Sequence, residues 1–183
     1  MKDSILIISI CKEIFHELEF VRPIKDILMN KEIKFKIVHY KELKRIDIDN
    51  AKKIIICGTS IKDNDFLKNM KSFSWIAGCN KPILGICGGM QVIGMSFRNT
   101  HLEKKKQIGM YGVDFEKEFF GLQGRVEVYE LHSRYIIPNL KDFEILAVKQ
   151  CPQAIKHKTL PYYGVLFHPE VRNKILIEEF CKL

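Results

Sequence analysis

Lys81-Pro82-Ile83-Leu84-Gly85-Ile86-Cys87-Gly88-Gly89-Met90-Gln91-Val92-Ile93-Gly94 is the stretch whose reading decides the fold. Ile83 to Ile86 is an apolar run of strand length, and it ends at Cys87 inside the pattern Gly85-x-Cys87-x-Gly89. From Met90 to Phe97 the apolar residues Met90, Ile93 and Phe97 recur at helical spacing. A strand, a tight turn and a helix with a nucleophile at the turn make a nucleophile elbow. The turn lifts the side chain above the sheet edge, and flanking glycines let chain and substrate approach without a Cβ clash. The opening turn of the helix offers free N–H groups and a positive dipole end, which favour a thiolate over a thiol. The same stretch also suits a buried structural cysteine, because a free cysteine is often a small core residue.

Working outward toward the N-terminus, Ser4 to Ile10 is nearly all apolar, as a strand covered on both faces must be. Glu17 to Lys31 follows with Leu18, Val21, Ile24, Ile27 and Leu28 at helical spacing, and Pro23 suggests that the helix proper begins near it. Ile33 to His39 alternates as a second strand, and Lys53 to Cys57 is a third that ends at Gly58-Thr59-Ser60. Asp63 to Trp75 places Phe66, Leu67, Met70 and Phe73 on one helical face. Strands alternating with helices predict a parallel, doubly wound sheet, in which ligands sit beyond the carboxyl ends of the strands. Gly58-Thr59-Ser60 and Cys87 both lie at such ends, so the sequence predicts that they face one cleft.

Beyond Arg98 the rhythm changes. Met110 to Phe115, Gly124 to Leu131, Phe143 to Lys149, Ala154 to His157 and Tyr162 to Phe167 read as strands joined by short turns, with period-two alternation clearest from Arg125 to Glu130. Antiparallel pairing is expected to dominate this half. Lys174 to Leu183 closes the chain as a helix burying Ile175, Leu176, Ile177 and Phe180. No linker, repeat or low-complexity segment interrupts residues 1–183, which predicts one domain with two structural regimes.

Composition narrows the classes of function. A length of 183 residues with 46% hydrophobic and 28% charged residues suits a globular domain and argues against disorder. The apolar N-terminus lacks a small-residue cleavage site and runs into Lys12, Glu13, Glu17 and Glu19, so it reads as a first strand rather than a signal peptide. No apolar run reaches the ~20 residues that span a bilayer, and the expectation is a cytoplasmic protein. Cys11, Cys57, Cys79, Cys87, Cys151 and Cys181 are scattered without CxxC pairs, which disfavours a disulfide framework or a bound metal. The net charge of +8 comes from dispersed lysines with no aromatic-interleaved basic motif, so nucleic acid is not an expected partner.

Gly164-Val165-Leu166-Phe167-His168-Pro169-Glu170 supplies the chemistry that the elbow needs. An apolar strand delivers His168, and Pro169 biases it toward an extended conformation. Residues i and i+2 of an extended segment project to one side, about 6.6 Å apart at Cα, so Glu170 can reach back to the imidazole. A carboxylate there fixes the tautomer and stabilises the imidazolium while the other nitrogen faces the nucleophile. Alone this could be a surface His-Pro turn. With Cys87 it becomes a nucleophile, base and orienter set.

These residues resemble the class I (triad) glutamine amidotransferases. Gly85-Ile86-Cys87-Gly88-Gly89-Met90-Gln91 is similar to that family's G-x-C-x-G-x-Q elbow, and Gly164 to Glu170 is similar to its G-V-Q-F-H-P-E segment, with Leu166 in place of glutamine. Tyr129-Glu130-Leu131-His132-Ser133 resembles its HS segment, and the 81 positions from Cys87 to His168 suit it. The resemblance implies a flavodoxin-like α/β fold of three layers, with a mostly parallel central sheet and an antiparallel C-terminal half. It implies hydrolysis of glutamine by Cys87, His168 and Glu170, with no cofactor. Gly88 and the loop at Gly58 and Thr59 would form the oxyanion hole, while Gln91, His132 and Ser133 would hold the substrate. It further implies a separate synthetase partner, since this length leaves no room for an acceptor domain, and a GMP synthase suits the length best. A stand-alone γ-glutamyl hydrolase and a non-catalytic regulatory paralogue are the alternatives. Three departures stand out. Gly58-Thr59-Ser60 replaces the usual Gly-Gly-Pro, no Asp-Asn follows the first strand, and Val171-Arg172-Asn173-Lys174 replaces Thr-Glu-x-Gly.

Overall fold

The strands Ser4–Ser9 (β1), Phe35–His39 (β2), Ala51–Ile56 (β3) and Ile83–Ile86 (β4) form the parallel part of one nine-stranded sheet in a computed structural model that describes residues 4–183. Residues 1–3 of the N-terminal segment read above lie outside the described residues. The later strands are His101–Phe119 (β5), Leu122–Ile137 (β6), Phe143–Val148 (β7), Pro152–His157 (β8) and Tyr162–Val165 (β9). The sheet order is β2-β1-β3-β4-β9-β8-β7-β5-β6. β9 is the seam between the two regimes, parallel to β4 on one side and antiparallel to β8 on the other. The sequence grouped β9 with the antiparallel strands. Its parallel pairing, Gly85 with Gly164 and Ile86 with Val165, brings the ends of the two motif strands side by side.

Alternation along the parallel strands divides the core. Ile5, Ile7, Ile55 and Leu84 face Phe20, Ile24, Leu28, Leu176 and Phe180, from the helices Glu17–Phe20 (α1), Arg22–Asn30 (α2) and Lys174–Lys182 (α6). Leu6, Ile8, Ile54 and Ile56 face Ile48, Phe66, Met90 and Ile93, from Arg45–Asn50 (α3), Asp65–Lys68 (α4) and Gly88–Met95 (α5). Helices on both faces of a sheet apolar on both faces give the three layers that the resemblance implied. Burying a side chain such as Ile56, which is fully inaccessible, contributes roughly 1.5–3 kcal/mol.

Several element boundaries differ from expectation for identifiable reasons. The span from Glu17 to Lys31 is two helices that meet at Val21, with Pro23 in the first turn of the second, where its missing N–H is tolerated. Asp63 to Trp75 is not one helix. α4 gives way to 3-10 turns at Met70–Phe73 and Ile76–Gly78, and the Asn69 side chain donates to the Asp65 carbonyl that a continuing α-helix would use. α3 was not foreseen in so short and charged a segment. The Asp47 carboxylate accepts the Lys44 N–H at its start, and the Lys81 ammonium donates to the Ile48 and Asp49 carbonyls at its end. β5 and β6 run far beyond 110–115 and 124–131. They form a long ribbon exposed on much of both faces from His101 to Met110, so no apolar alternation marks it. Phe120 and Gly121, both at positive φ, close its two-residue turn.

Candidate active site

Cys87 stands between β4 and α5 with φ 50° and ψ −102°, a region that costs a non-glycine residue on the order of 1–3 kcal/mol. Two hydrogen bonds hold the strain in place. The Cys87 N–H donates to the Val165 carbonyl (2.7 Å), and the Cys87 carbonyl accepts from the Gln91 N–H (3.2 Å). The elbow glycines are required by contact. A Cβ at Gly85 would overlap the Gly89 backbone, and one at Gly89 would overlap the Ile56 carbonyl. Strand and helix can therefore cross at van der Waals distance, which places the thiol at the N-terminus of α5. The Cys87 thiol donates to the Leu131 carbonyl at 3.6 Å, a weak interaction that sets its direction.

His168 follows β9, as the sequence predicts, and its imidazole is almost wholly buried. Its Nδ1 lies 2.7 Å from Glu170 Oε1, and its buried Nε2, on the ring beside the Cys87 sulfur, has no hydrogen-bond partner among the described residues. The route to this contact differs from the extended one expected. Val171 N–H donates to the His168 carbonyl (3.2 Å), so Pro169 and Glu170 form a turn that folds the carboxylate back. Burial disfavours a charged ring, but the Glu170 carboxylate and the Cys87 sulfur beside it outweigh that, and the His168 pKa stands well above the ordinary histidine value. By contrast, burial pushes the Cys11 thiol up to about 11 and raises those of Cys57 and Cys151, so these cysteines remain protonated and inert.

Gly58 lies directly against this pair. A Cβ there would come within 2.7 Å of His168 Cε1 and 3.5 Å of Cys87 Cβ. The loop that follows is organised by Asp63, whose carboxylate accepts from the Lys12 N–H (2.6 Å), the Thr59 hydroxyl (2.7 Å) and the Asp65 N–H (3.1 Å). This clamp holds the glycine-poor Gly58-Thr59-Ser60 turn in one position. Thr59, Cys87, Gly88, Gln91, His132 and Ser133 line a shared cavity of about 20 Å³, room for little more than one water. The structure thus brings every predicted site residue together. It also occupies several of them: Gln91 Nε2 donates to the Arg134 carbonyl (3.1 Å) and the Ser133 hydroxyl to the Ile61 carbonyl (2.9 Å). His132 is engaged at both nitrogens, by Glu130 and by the Lys105 carbonyl.

A family model described as glutamine amidotransferase class-I matches residues 16–180, nearly the whole chain. The chain belongs to the class-I glutamine amidotransferase family. Among curated relatives, a glutamine-hydrolysing GMP synthase subunit of Pyrococcus abyssi is 35% identical over 57% of this chain and 61% of its own length. The protein of the same name from Methanocaldococcus jannaschii is 33% identical over 88% of this chain and 79% of its own. The chain covers less than two thirds of the first of these. A solved structure from Thermoplasma acidophilum superposes with a TM-score of 0.86, covering 100% of this chain and 94% of that one at 24% identity, which establishes the shared fold.

Within that amidotransferase fold, the sequence did not reveal the residues that act through their backbones. The Tyr129 carbonyl accepts the His168 N–H (2.8 Å), and the Leu131 carbonyl receives the Cys87 thiol. Carbonyl groups leave no signature in residue type, so nothing short of the strand register could have found them. Asp63 was legible in principle as a carboxylate four residues beyond Thr59. Phe20, whose ring centroid is 5.4 Å from that of His168, was not singled out in the sequence. Among the described residues no helix is long and apolar enough to cross a membrane.

Proposed function

We propose that the chain hydrolyses glutamine to glutamate and ammonia through a γ-glutamyl thioester on Cys87, with His168 as proton carrier and Glu170 as its orienter. The observation that carries this reading is the strained Cys87 elbow facing a buried His168 whose far nitrogen is 2.7 Å from Glu170. His168 Nε2 takes the thiol proton as sulfur attacks the side-chain amide carbon. The C–S bond forms and the carbonyl oxygen becomes an oxyanion. Collapse breaks the C–N bond, and the imidazolium proton goes to the leaving nitrogen, which departs as ammonia. A water then gives a proton to His168 and attacks the thioester, and the C–S bond breaks as the proton returns to sulfur. Glu170 keeps Nδ1 protonated and stabilises the imidazolium in both halves.

The oxyanion needs donors fixed before charge develops. Gly88 N–H, in the first turn of α5, has no intrahelical partner and follows the nucleophile directly. The Gly58-Thr59 turn, clamped through Asp63, is the second source. Loss of one such donor typically costs about 2.7–4 kcal/mol of transition-state stabilisation. The loop after Gly58 borders the shared cavity and is tied to its far wall by the Ser133 hydroxyl, which donates to the Ile61 carbonyl (2.9 Å). Gln91 and Ser133 are the cavity residues placed to meet the substrate, while the His132 imidazole stays engaged by Glu130 and the Lys105 carbonyl.

The ammonia acceptor is a separate synthetase subunit of the GMP synthase kind, a reading supported by the names of the relatives. The test is glutamate release from glutamine by the purified chain with and without that synthetase and its nucleotide substrates. The expected result is turnover that depends on the partner and disappears in Cys87→Ala. Hydrolysis of γ-glutamyl peptides by the isolated chain, with no response to a synthetase, would instead identify a stand-alone hydrolase.

A further inference from the structure

Glu130 and His132 form a second buried Glu–His pair outside the triad. Both side chains are inaccessible, on the same face of β6 two residues apart, with Glu130 Oε2 2.9 Å from His132 Nε2. The pair is tied to two other strands. His132 Nδ1 lies 3.1 Å from the Lys105 carbonyl of β5, and Glu130 Oε2 also accepts from Gln153 of β8 (3.4 Å). A backbone carbonyl can only accept, so Nδ1 carries a proton, and one more proton is held between Nε2 and the carboxylate. Both contacts of the imidazole are made. Lys149 Nζ lies 3.9 Å from the remaining carboxylate oxygen, Oε1.

This segment of β6 also carries the two carbonyls that hold the reacting groups. Tyr129, on one side of Glu130, accepts the His168 N–H at 2.8 Å, and Leu131, between Glu130 and His132, receives the Cys87 thiol at 3.6 Å. Gln153, which Glu130 engages, accepts the Leu166 N–H through its own carbonyl (2.9 Å) just before His168. The pairing of the ribbon is irregular here, because β5 is bulged between Lys104 and Gln107, directly opposite His132. A buried hydrogen-bonded pair at that irregularity fixes the strand in one place, where register alone would not.

We propose that Glu130 and His132 are positioning residues for the Cys87–His168 site, acting through the Tyr129 and Leu131 carbonyls. The inference rests on the triad reading, and its test does not need glutamine. The rate of Cys87 alkylation by iodoacetamide, read at its peptide by mass spectrometry across a pH series, reports the thiol's surroundings directly. Glu130→Met keeps the buried volume and removes the hydrogen bonds, while Glu130→Gln keeps a partner for His132. Val113→Ala, a buried core change on β5 away from the site, controls for general loss of stability.

The expected result is an alkylation rate at neutral pH that falls about tenfold in Glu130→Met and His132→Ala, with a profile displaced to higher pH. A loss of that size matches a sub-ångström misplacement of reacting groups. Glu130→Gln should restore the rate to within about threefold, and Val113→Ala should leave the profile in place. With glutamine and partner, kcat should fall with little change in KM. A folded Glu130→Met chain with the wild-type alkylation profile would overturn the proposal. So would failure of that variant to fold, which would make the pair a folding element. If no variant or wild-type chain uses glutamine yet the alkylation differences persist, the positioning stands and the amidotransferase reading falls.

Discussion

Gly58→Ala is the substitution whose consequence the geometry states most directly. A methyl group at residue 58 would lie 2.7 Å from His168 Cε1, where ordinary contact begins at about 3.4 Å, so the loop or the ring must move by about 0.7 Å. Both are held. The ring is buried, bonded to Glu170 at 2.7 Å, and its backbone N–H is tied to the Tyr129 carbonyl. The loop is clamped by Asp63, and the Gly58 carbonyl lies 3.7 Å from the Cys11 thiol that donates to it. Whichever yields, the line from Nε2 to sulfur or the oxyanion donors move by most of an ångström, and a misplacement of 1 Å can cost on the order of 100-fold in rate. Overpacking of this kind costs typically 1–3 kcal/mol of stability, which should leave a folded chain. The assay is steady-state glutamate release in the presence of the synthetase partner, with urea unfolding run on the same preparation. A drop of about 100-fold in kcat is expected for a folded Gly58→Ala chain. Wild-type turnover by that variant would refute the placement of Gly58 against the triad.

Other outcomes follow from the same contacts. Cys87→Ala should abolish glutamine hydrolysis while its circular dichroism and unfolding midpoint stay near those of the wild type or rise, since the strained φ of 50° gains nothing from sulfur. Gly89→Ala should destabilise by at least about 1–3 kcal/mol in urea titrations, because its methyl would meet the Ile56 carbonyl and no flexible side chain is there to move. The raised pKa of His168 contributes stability that is fully present below the unfolded value near 6.5 and is lost as pH rises through the folded value. Unfolding free energy should therefore decline above about pH 6.5 in the wild type, and a folded His168→Gln chain should lack that slope. Asp63→Ala should lower kcat by freeing Thr59 and the Lys12 N–H together, and Asp63→Asn, which can accept at one oxygen only, should recover part of it.

The parallel half of the fold was legible because β1 and β4 are apolar on both faces and the elbow has a spacing that only contact geometry explains. Gly85 and Gly89 could be read as close approaches before any coordinates, and the overlaps they avoid are the ones observed. That Cys87, His168 and Glu170 come together was legible from residue type and chain order. What escaped was held by features that sequence does not encode locally. The long β5–β6 ribbon has little apolar periodicity from His101 to Met110 since both its faces meet solvent. The break after Lys68 depends on a side chain, Asn69, competing for a backbone carbonyl. The seam at β9 depends on which strand it joins, a long-range choice that places His168 beside Cys87. Gln91, His132 and Ser133 line the cavity, but their hydrogen bonds to Arg134, Glu130, Lys105 and Ile61 could be known only from the packed chain.

The central claim is a covalent one, and a single measurement addresses it. The chain, together with its synthetase partner, is treated with an electrophilic glutamine analogue, digested, and its six cysteines are mapped by mass spectrometry. The account predicts one adduct of the analogue's mass on Cys87, protected by excess glutamine, with Cys11, Cys57, Cys79, Cys151 and Cys181 unmodified. An adduct on another cysteine, or an unlabelled Cys87 in a complex that still releases glutamate, would contradict it.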